Sequence, residues 1–264
     1  MSRITRRQFL LAGGALAACG MGAAAGLRAR PWWEWAPSGA GQVPSVEPPG
    51  PWAVEARYYA SFASEGSLNC TSCHAPTEEP LPVSYCHTPH TGTYVQCQLC
   101  PLRCIIADGE RGQCRVRENR AGRLVSVVYG NPCAVHVDPI EKKPFFHFLP
   151  TASAFSLATA GCNLRCLYCQ NWSISQVPPE ETQNMDLPPE QVVLSAQGYQ
   201  APVIAYTYSE PIVFYEYVLA TARLARQAGL HNVVVSAGFI NPEPLRELCA
   251  LVDAIKIDLK GYEE

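Results

Sequence analysis

From residue 154 onward the chain alternates two kinds of apolar block. Short runs dense in Val, Ile, Ala and Tyr are punctuated by Gly and Pro, and between them lie longer stretches with apolar residues at helical spacing. Ala154–Ala158 reads as a strand, and Pro188–Tyr199 as a helix with Val192, Val193 and Ala196 on one face. Pro202–Tyr208 is a second strand and Ile212–Gly229 a second helix, closed by Gly229. Asn232–Ser236 is a third strand, Asn241 caps a third helix with Pro242 at its first position, and Ala254–Leu259 is a fourth strand. Continuous apolar strands alternating with helices predict an α/β fold, with a parallel sheet covered on both faces.

The polar residues that interrupt this pattern fall in phase. A cysteine loop follows the first strand and Glu210 the second. Ser236-Ala237-Gly238 ends the third, and Asp258 and Lys260 end the fourth. Barrel-type folds place their chemistry at strand C-terminal ends. The loop reads Gly161-Cys162-Asn163-Leu164-Arg165-Cys166-Leu167-Tyr168-Cys169, a C-x3-C-x2-C spacing. Iron–sulfur clusters usually take four thiolates, and here three stand together. Three ligands leave one metal position open, which is where a cosubstrate binds. The rival reading is a zinc knuckle completed by a distant ligand such as Cys133 or His147. Lys142, Lys143 and His147 are further candidates to line a pocket.

Two more cysteine groups lie upstream. Cys97, Cys100, Cys104 and Cys114 suit a closed tetrahedral metal site or an auxiliary Fe-S cluster, with disulfides as the rival. Cys70-Thr71-Ser72-Cys73-His74 is followed by Cys86-His87-Thr88-Pro89-His90. Cys-x-x-Cys-His reads as haem c attachment, with His87 or His90 as second axial ligand. Cys70, Cys73, Cys86 and His90 also have a zinc-like spacing, and Cys70/Cys73 could pair with Cys97/Cys100 as a ribbon. Zinc or an unliganded insert is preferred to haem, because haem is attached to unfolded chains outside the cytoplasm. Cys249 reads as a buried thiol in the third helix.

The opening residues change the picture of where such chemistry takes place. Arg3, Arg6 and Arg7 precede a small, apolar run from Leu10 to Leu27. Residues 1–30 read as a twin-arginine signal peptide, a route for proteins that fold with their cofactor before export. Leu16-Ala17-Ala18-Cys19 would make Cys19 a lipidated N-terminus, and Ala23-Ala24-Ala25 is the alternative cleavage site. Either way the expectation is an exported or membrane-associated protein. Residues 31–60 read as a Pro- and Trp-rich linker, 61–150 as a loop-rich, cysteine-rich region and 151–264 as the core. With 48% apolar and 16% charged residues, the chain of 264 is no disordered polymer. A net charge of -3 argues against a nucleic-acid partner. The 13 cysteines, an odd number, exclude a fully paired set of intrachain disulfides.

The C-x3-C-x2-C loop, with aromatic Tyr168 before its last cysteine, resembles the signature of radical S-adenosylmethionine (SAM) enzymes. That resemblance implies a 4Fe-4S cluster on Cys162, Cys166 and Cys169, SAM on its fourth iron, and Tyr168 against the adenine. Tyr208-Ser209-Glu210-Pro211 resembles the Gly-Gly-Glu-Pro element of radical SAM activases, implying Glu210 as holder of the SAM amino group. Asp258-Leu259-Lys260 resembles an element of pyruvate formate-lyase activating enzymes that contacts the SAM carboxylate end, and Ser236 sits where those enzymes meet the ribose.

From about Gln96 onward the chain resembles the radical SAM protein of the AmmeMemoRadiSam system. The match rests on Cys-x-Leu-Cys-Pro, Arg-Gly-x-Cys-x-Val-Arg-Glu-Asn, Val-Asp-Pro-Ile-Glu-Lys-Lys-Pro, Cys-Gln-Asn-Trp-x-Ile-Ser-Gln and Asn-Pro-Glu-Pro-Leu. It implies a partial TIM-like barrel with four β/α units visible, and an electron donor such as ferredoxin or flavodoxin. It also implies reductive cleavage of SAM to a 5'-deoxyadenosyl radical that takes hydrogen from an unknown substrate. The core offers about 115 residues against the ~200 of a small complete barrel, so a C-terminally shortened domain is expected. The alternative is an exported, non-catalytic iron–sulfur, zinc or haem c electron-transfer protein.

Overall fold

The computed structural model describes residues 52–64 and 92–261. The signal segment, Cys19 and the Cys70–His90 constellation lie outside these residues.

The N-terminal part is built on strands. β1 (Val54–Glu55), β2 (Tyr59–Ser64), β3 (Gly92–Cys97), β4 (Ile105–Ala107), β5 (Arg117–Arg120) and β6 (Arg123–Ser126) form two antiparallel sheets, ordered β1-β6-β5 and β2-β3-β4. Val54–Glu55 and Tyr59–Ala60, expected as linker, therefore enter sheets, and the region expected to be loop-rich carries strands of both. These strands are short, and β5 reads Arg-Glu-Asn-Arg, whose period is hidden because the inward residues are polar. Asn119 shows how such a strand is tolerated. Its amide donates to the carbonyls of Thr93 (3.0 Å) and Ile106 (2.9 Å), and its oxygen accepts from Gly122 N at 2.8 Å. A buried amide with its bonds made costs little.

The main sheet contains β7 (Ala134–Pro139), β8 (Ser153–Ala158), β9 (Val203–Tyr206), β10 (His231–Ser236) and β11 (Ala254–Ile257), in the order β11-β10-β9-β8-β7. β8 to β11 are parallel, and β7 is an antiparallel edge, pairing Ala134 with Ala158 and Pro139 with Ser153. The four expected parallel strands are thus present, joined by three helical crossovers, and the sheet takes one more strand from before residue 151. Apart from Ser153, β8 and β9 are wholly buried, which is why their sequences are apolar without alternation. At the other edge, Ile257 and Leu259 are exposed.

The helices are α1 (Trp172–Ser175), α2 (Pro189–Gly198), α3 (Tyr215–Gln227) and α4 (Pro242–Cys249). The helix expected from Ile212 begins instead as a 3-10 turn over Pro211–Phe214, with Glu210 as N-cap, and becomes α-helical at Tyr215. Gly229 closes it as expected, at φ +74, a left-handed conformation natural to glycine. α3 buries Tyr215, Tyr217, Val218, Leu219, Ala222 and Ala225, each large aliphatic side chain contributing about 2 kcal/mol. Asn241 stands at the N-cap of α4 but its side chain caps nothing there. Its amide donates to the Gln98 carbonyl at 2.6 Å, tying the main unit to the cysteine-rich segment. Cys249 is exposed, contrary to the expected buried thiol. In α4 the buried residues are Pro244 and Leu248, and the position after Leu248 turns about 100° away from the core. Among the described residues no helix is long and apolar enough to cross a membrane.

Candidate active site

The loop after β8 is fixed at both ends. Gly161 N donates to Ile174 O (2.8 Å), Gln176 Nε2 to Leu164 O (3.1 Å) and Asn163 Nδ2 to Phe239 O (3.0 Å). Inside it, Leu164 N points at Cys162 Sγ, 3.4 Å away. Backbone N–H groups aimed at sulfur favour its thiolate form. Burial outweighs this and pushes the Cys162 thiol up to about 11.

Cys162, Cys166 and Cys169 open into a cavity of about 690 Å³. Tyr168, Glu210, Ser236, Asp258 and Lys260 line the same space. The structure therefore brings together every residue that the sequence pattern and the resemblance put forward for the trio and the SAM site. Cys133 and His147, the proposed completing ligands of a zinc knuckle, are absent from its walls. His147 is exposed, and the Cys133 thiol faces the Ala158 carbonyl at 3.7 Å.

Glu210 is the centre of the polar wall and is only 5% exposed. It accepts from Ser236 Oγ (2.6 Å), Ala237 N (2.9 Å) and Ile212 N (3.3 Å). Burial nevertheless pushes its carboxyl up, against those hydrogen bonds and the Lys260 charge. A cation within a few ångströms of a buried carboxylate in this state stabilises its charged form. Asp258 is gripped by Lys260 at 2.7 Å and by Lys256, and its N–H donates to Ser236 O at 2.8 Å. Tyr168 is 68% exposed at the mouth, its hydroxyl donating to the Lys260 carbonyl.

Asp138 was not foreseen as part of the cavity wall, whereas Lys142 and Lys143, expected as pocket candidates, do line it. Asp138 on β7 accepts from Lys142 Nζ (3.0 Å), Lys143 Nζ (3.0 Å) and Tyr208 OH (3.0 Å), and Lys143 Nζ lies 2.8 Å from that hydroxyl. Burial works against the Asp138 carboxylate, but bonds from the two lysines and the tyrosine outweigh it and hold the carboxyl well below the usual range. Lys143 is pushed down by its own burial, partly offset by Asp138. Tyr208 adopts φ +66, where the resembling element carries glycine. Its ring under Lys143 and its hydroxyl on Asp138 hold it there. Asp138, Lys142 and Lys143 all lie in the Val-Asp-Pro-Ile-Glu-Lys-Lys-Pro run, which was the available signal.

Cys97, Cys100, Cys104 and Cys114 line a second, much smaller cavity of about 20 Å³. Among the described residues no three His, Cys, Asp or Glu side chains are already drawn together as the ligands of a single ion. For a cluster of several irons the trio nonetheless fits on its chemistry: soft thiolate donors on one loop, at the wall of a roomy cavity, facing a buried carboxylate.

A parallel α/β sheet with a cysteine trio beside the ends of its strands can be set against known proteins. Residues 156–264, from within β8 through β11, match the radical SAM superfamily. An uncharacterized protein of Methanocaldococcus jannaschii is 52% identical over 167 residues, 63% of this chain and 50% of that one. The 7-carboxy-7-deazaguanine synthase of Halobacterium salinarum is 30% identical over 102 residues, 38% of this chain and 37% of that enzyme. A second uncharacterized protein of M. jannaschii is 31% identical over 90 residues, 34% of this chain and 22% of that one. The chain thus spans half the length of the first of these relatives and less of the others.

Proposed function

We propose that this chain is a radical SAM enzyme. Cys162, Cys166 and Cys169 would hold a 4Fe-4S cluster and Glu210 the amino group of SAM. When bound, the cluster supplies one electron, which cleaves SAM to methionine and a 5'-deoxyadenosyl radical able to take hydrogen from a substrate. The chain's own residues bind and orient. Glu210 gives the SAM ammonium a buried carboxylate partner, while Ser236 and the Ala237 N–H keep that carboxylate aimed. Asp258 and Lys260 would meet the SAM carboxylate end, Ser236 would lie beside the ribose, and Tyr168 would offer its ring to the adenine. The observation that carries this reading is the trio and the buried Glu210 in one cavity within a radical SAM domain.

The test is anaerobic reconstitution with iron and sulfide, reduction, and assay for 5'-deoxyadenosine from SAM. Product is expected from the parent and none from C166A. Glu210→Gln should raise the SAM Kd about 10- to 150-fold, the worth of a charged hydrogen bond of about 1.5–3 kcal/mol. A full cluster with no 5'-deoxyadenosine would overturn the reading.

The finer assignment is also proposed. The motifs from Gln96 onward support an AmmeMemoRadiSam-type protein related to pyruvate formate-lyase activating enzymes, using a ferredoxin or flavodoxin as reductant. Arg6-Arg7 supports twin-arginine export. The likeness to 7-carboxy-7-deazaguanine synthase supports the shared domain and leaves the substrate open.

A further inference from the structure

We infer that Cys97, Cys100, Cys104 and Cys114 form a second, closed metal centre, a single tetrahedral zinc ion whose anionic thiolates are the missing partners of the buried Arg117. The cysteines come from two segments. Cys97 ends β3, and Cys100 and Cys104 lie in the turn that leads into β4, where Cys97 N donates to Cys104 O at 2.9 Å. Cys114 arrives from the turn before β5, closed by Arg115 N to Gly112 O at 2.8 Å. All four line the one small cavity, together with Leu99, Ile106, Ile212, Val213 and Arg117.

Arg117 points to a ligand independently of the cysteine spacing. It is 1% exposed, among the most buried large side chains of the described residues. Its Nη2 donates to both carboxylate oxygens of Glu216 at 2.6 Å, but Nε and Nη1 have no partner. Glu216 Oε1 is shared, since it also accepts from Arg57 N at 2.7 Å. A buried guanidinium with unpaired N–H groups is costly unless an acceptor sits against it. The cavity walls are otherwise apolar, apart from the Asn163 amide. A zinc ion with four thiolates is dianionic, and sulfur accepts hydrogen bonds from N–H groups. Such an ion meets the demand, whereas four neutral thiols do not.

Size selects the occupant. About 20 Å³ accommodates one body the size of a water molecule, enough for an ion and too little for an iron–sulfur cubane. Four soft thiolates in a closed site match zinc. A rotamer change moves a cysteine sulfur by about 3 Å, so the thiols can close on the ion as they release their protons to solvent.

The centre would brace the active site from below. The Cys114 carbonyl and the Val116 side chain occupy the space that a Cβ on Gly161, the residue before the trio, would need. Ile212 and Val213 on the cavity wall follow Glu210, so the same packing supports the cluster loop and the SAM carboxylate.

The experiment uses the full chain purified anaerobically, carrying C162A/C166A/C169A to remove the trio and C70S/C73S/C86S to remove the upstream cysteines. Elemental and acid-labile sulfide analysis should find about one zinc per chain and no iron. Cobalt exchanged into the site should give the intense visible bands of tetrahedral thiolate coordination. Arg117→Met should speed zinc loss to a chelator about tenfold, with partial recovery in Arg117→Lys. Absence of stoichiometric zinc, iron with sulfide in its place, or a chelation rate indifferent to Arg117 would each overturn the proposal.

Discussion

Replacing Gly161 with alanine probes the joint between the cysteine-rich segment and the cluster loop. Gly161 sits at φ +89, and an added Cβ would fall 2.6 Å from Val116 Cγ1 and inside contact distance of the Cys114 carbonyl oxygen. The left-handed backbone costs an L-residue about 1–2 kcal/mol. Overlap adds about 1–3 kcal/mol, because one of the obstructing atoms is backbone and cannot rotate away. The sum, about 2–5 kcal/mol, lowers Tm by about 5–15 °C in a domain of this size. Thermal unfolding followed by circular dichroism measures this, and iron per chain after reconstitution reports the cluster loop. Gly198→Ala is the matched control. It ends α2, meets nothing within 4 Å, and should stabilise by up to about 1 kcal/mol. An unchanged Tm and full iron loading in Gly161→Ala would refute the claim that this contact positions the trio.

Three further outcomes are expected. Because Asp138 is held below its unfolded value, its stabilisation is present above about pH 4 and lost as pH falls through the depressed folded value; Asp138→Asn should flatten that acid limb in urea titrations and cost about 2 kcal/mol at neutral pH. Glu216→Gln, which strips the counter-charge from buried Arg117, should cost about 3–5 kcal/mol by denaturant unfolding, and the apolar pair Arg117→Met/Glu216→Leu should cost less in the same assay if buried charge is the cause. Replacing both Arg6 and Arg7 with lysine should retain the protein in the cytoplasmic fraction on cell fractionation; unaltered partition would remove the export reading.

What could be read in the chain depended on how far apart the cooperating residues lie. β8 to β10 are nearly unbroken apolar runs because both sheet faces are covered, so pattern alone located them. The trio is equally local, three cysteines on one loop. β5 escaped because its inward residues are Arg117 and Asn119, whose burial makes sense only once Glu216, Thr93 and Ile106 are known to face them. The role of Asp138 in tying Lys143 to Tyr208 escaped for the same reason, since Tyr208 stands 70 residues from Asp138.

Polar residues buried by distant partners carry no periodic signature, and in this protein they sit at the joints that orient the cavity. Arg117 joins β5 to α3, and Asn241 joins α4 to the segment before Cys100. Tyr208 joins β7 to the turn bearing Glu210. Each joint fixes one element against another around the cavity that Glu210 and the thiols share. The strain at Tyr208, about 1–2 kcal/mol for a left-handed residue, is set against its bonds to Asp138 and Lys143. Relaxing it with Tyr208→Gly would remove the strain and the wall together. The effect on SAM binding therefore measures how much of the site's geometry comes from the wall rather than from the backbone.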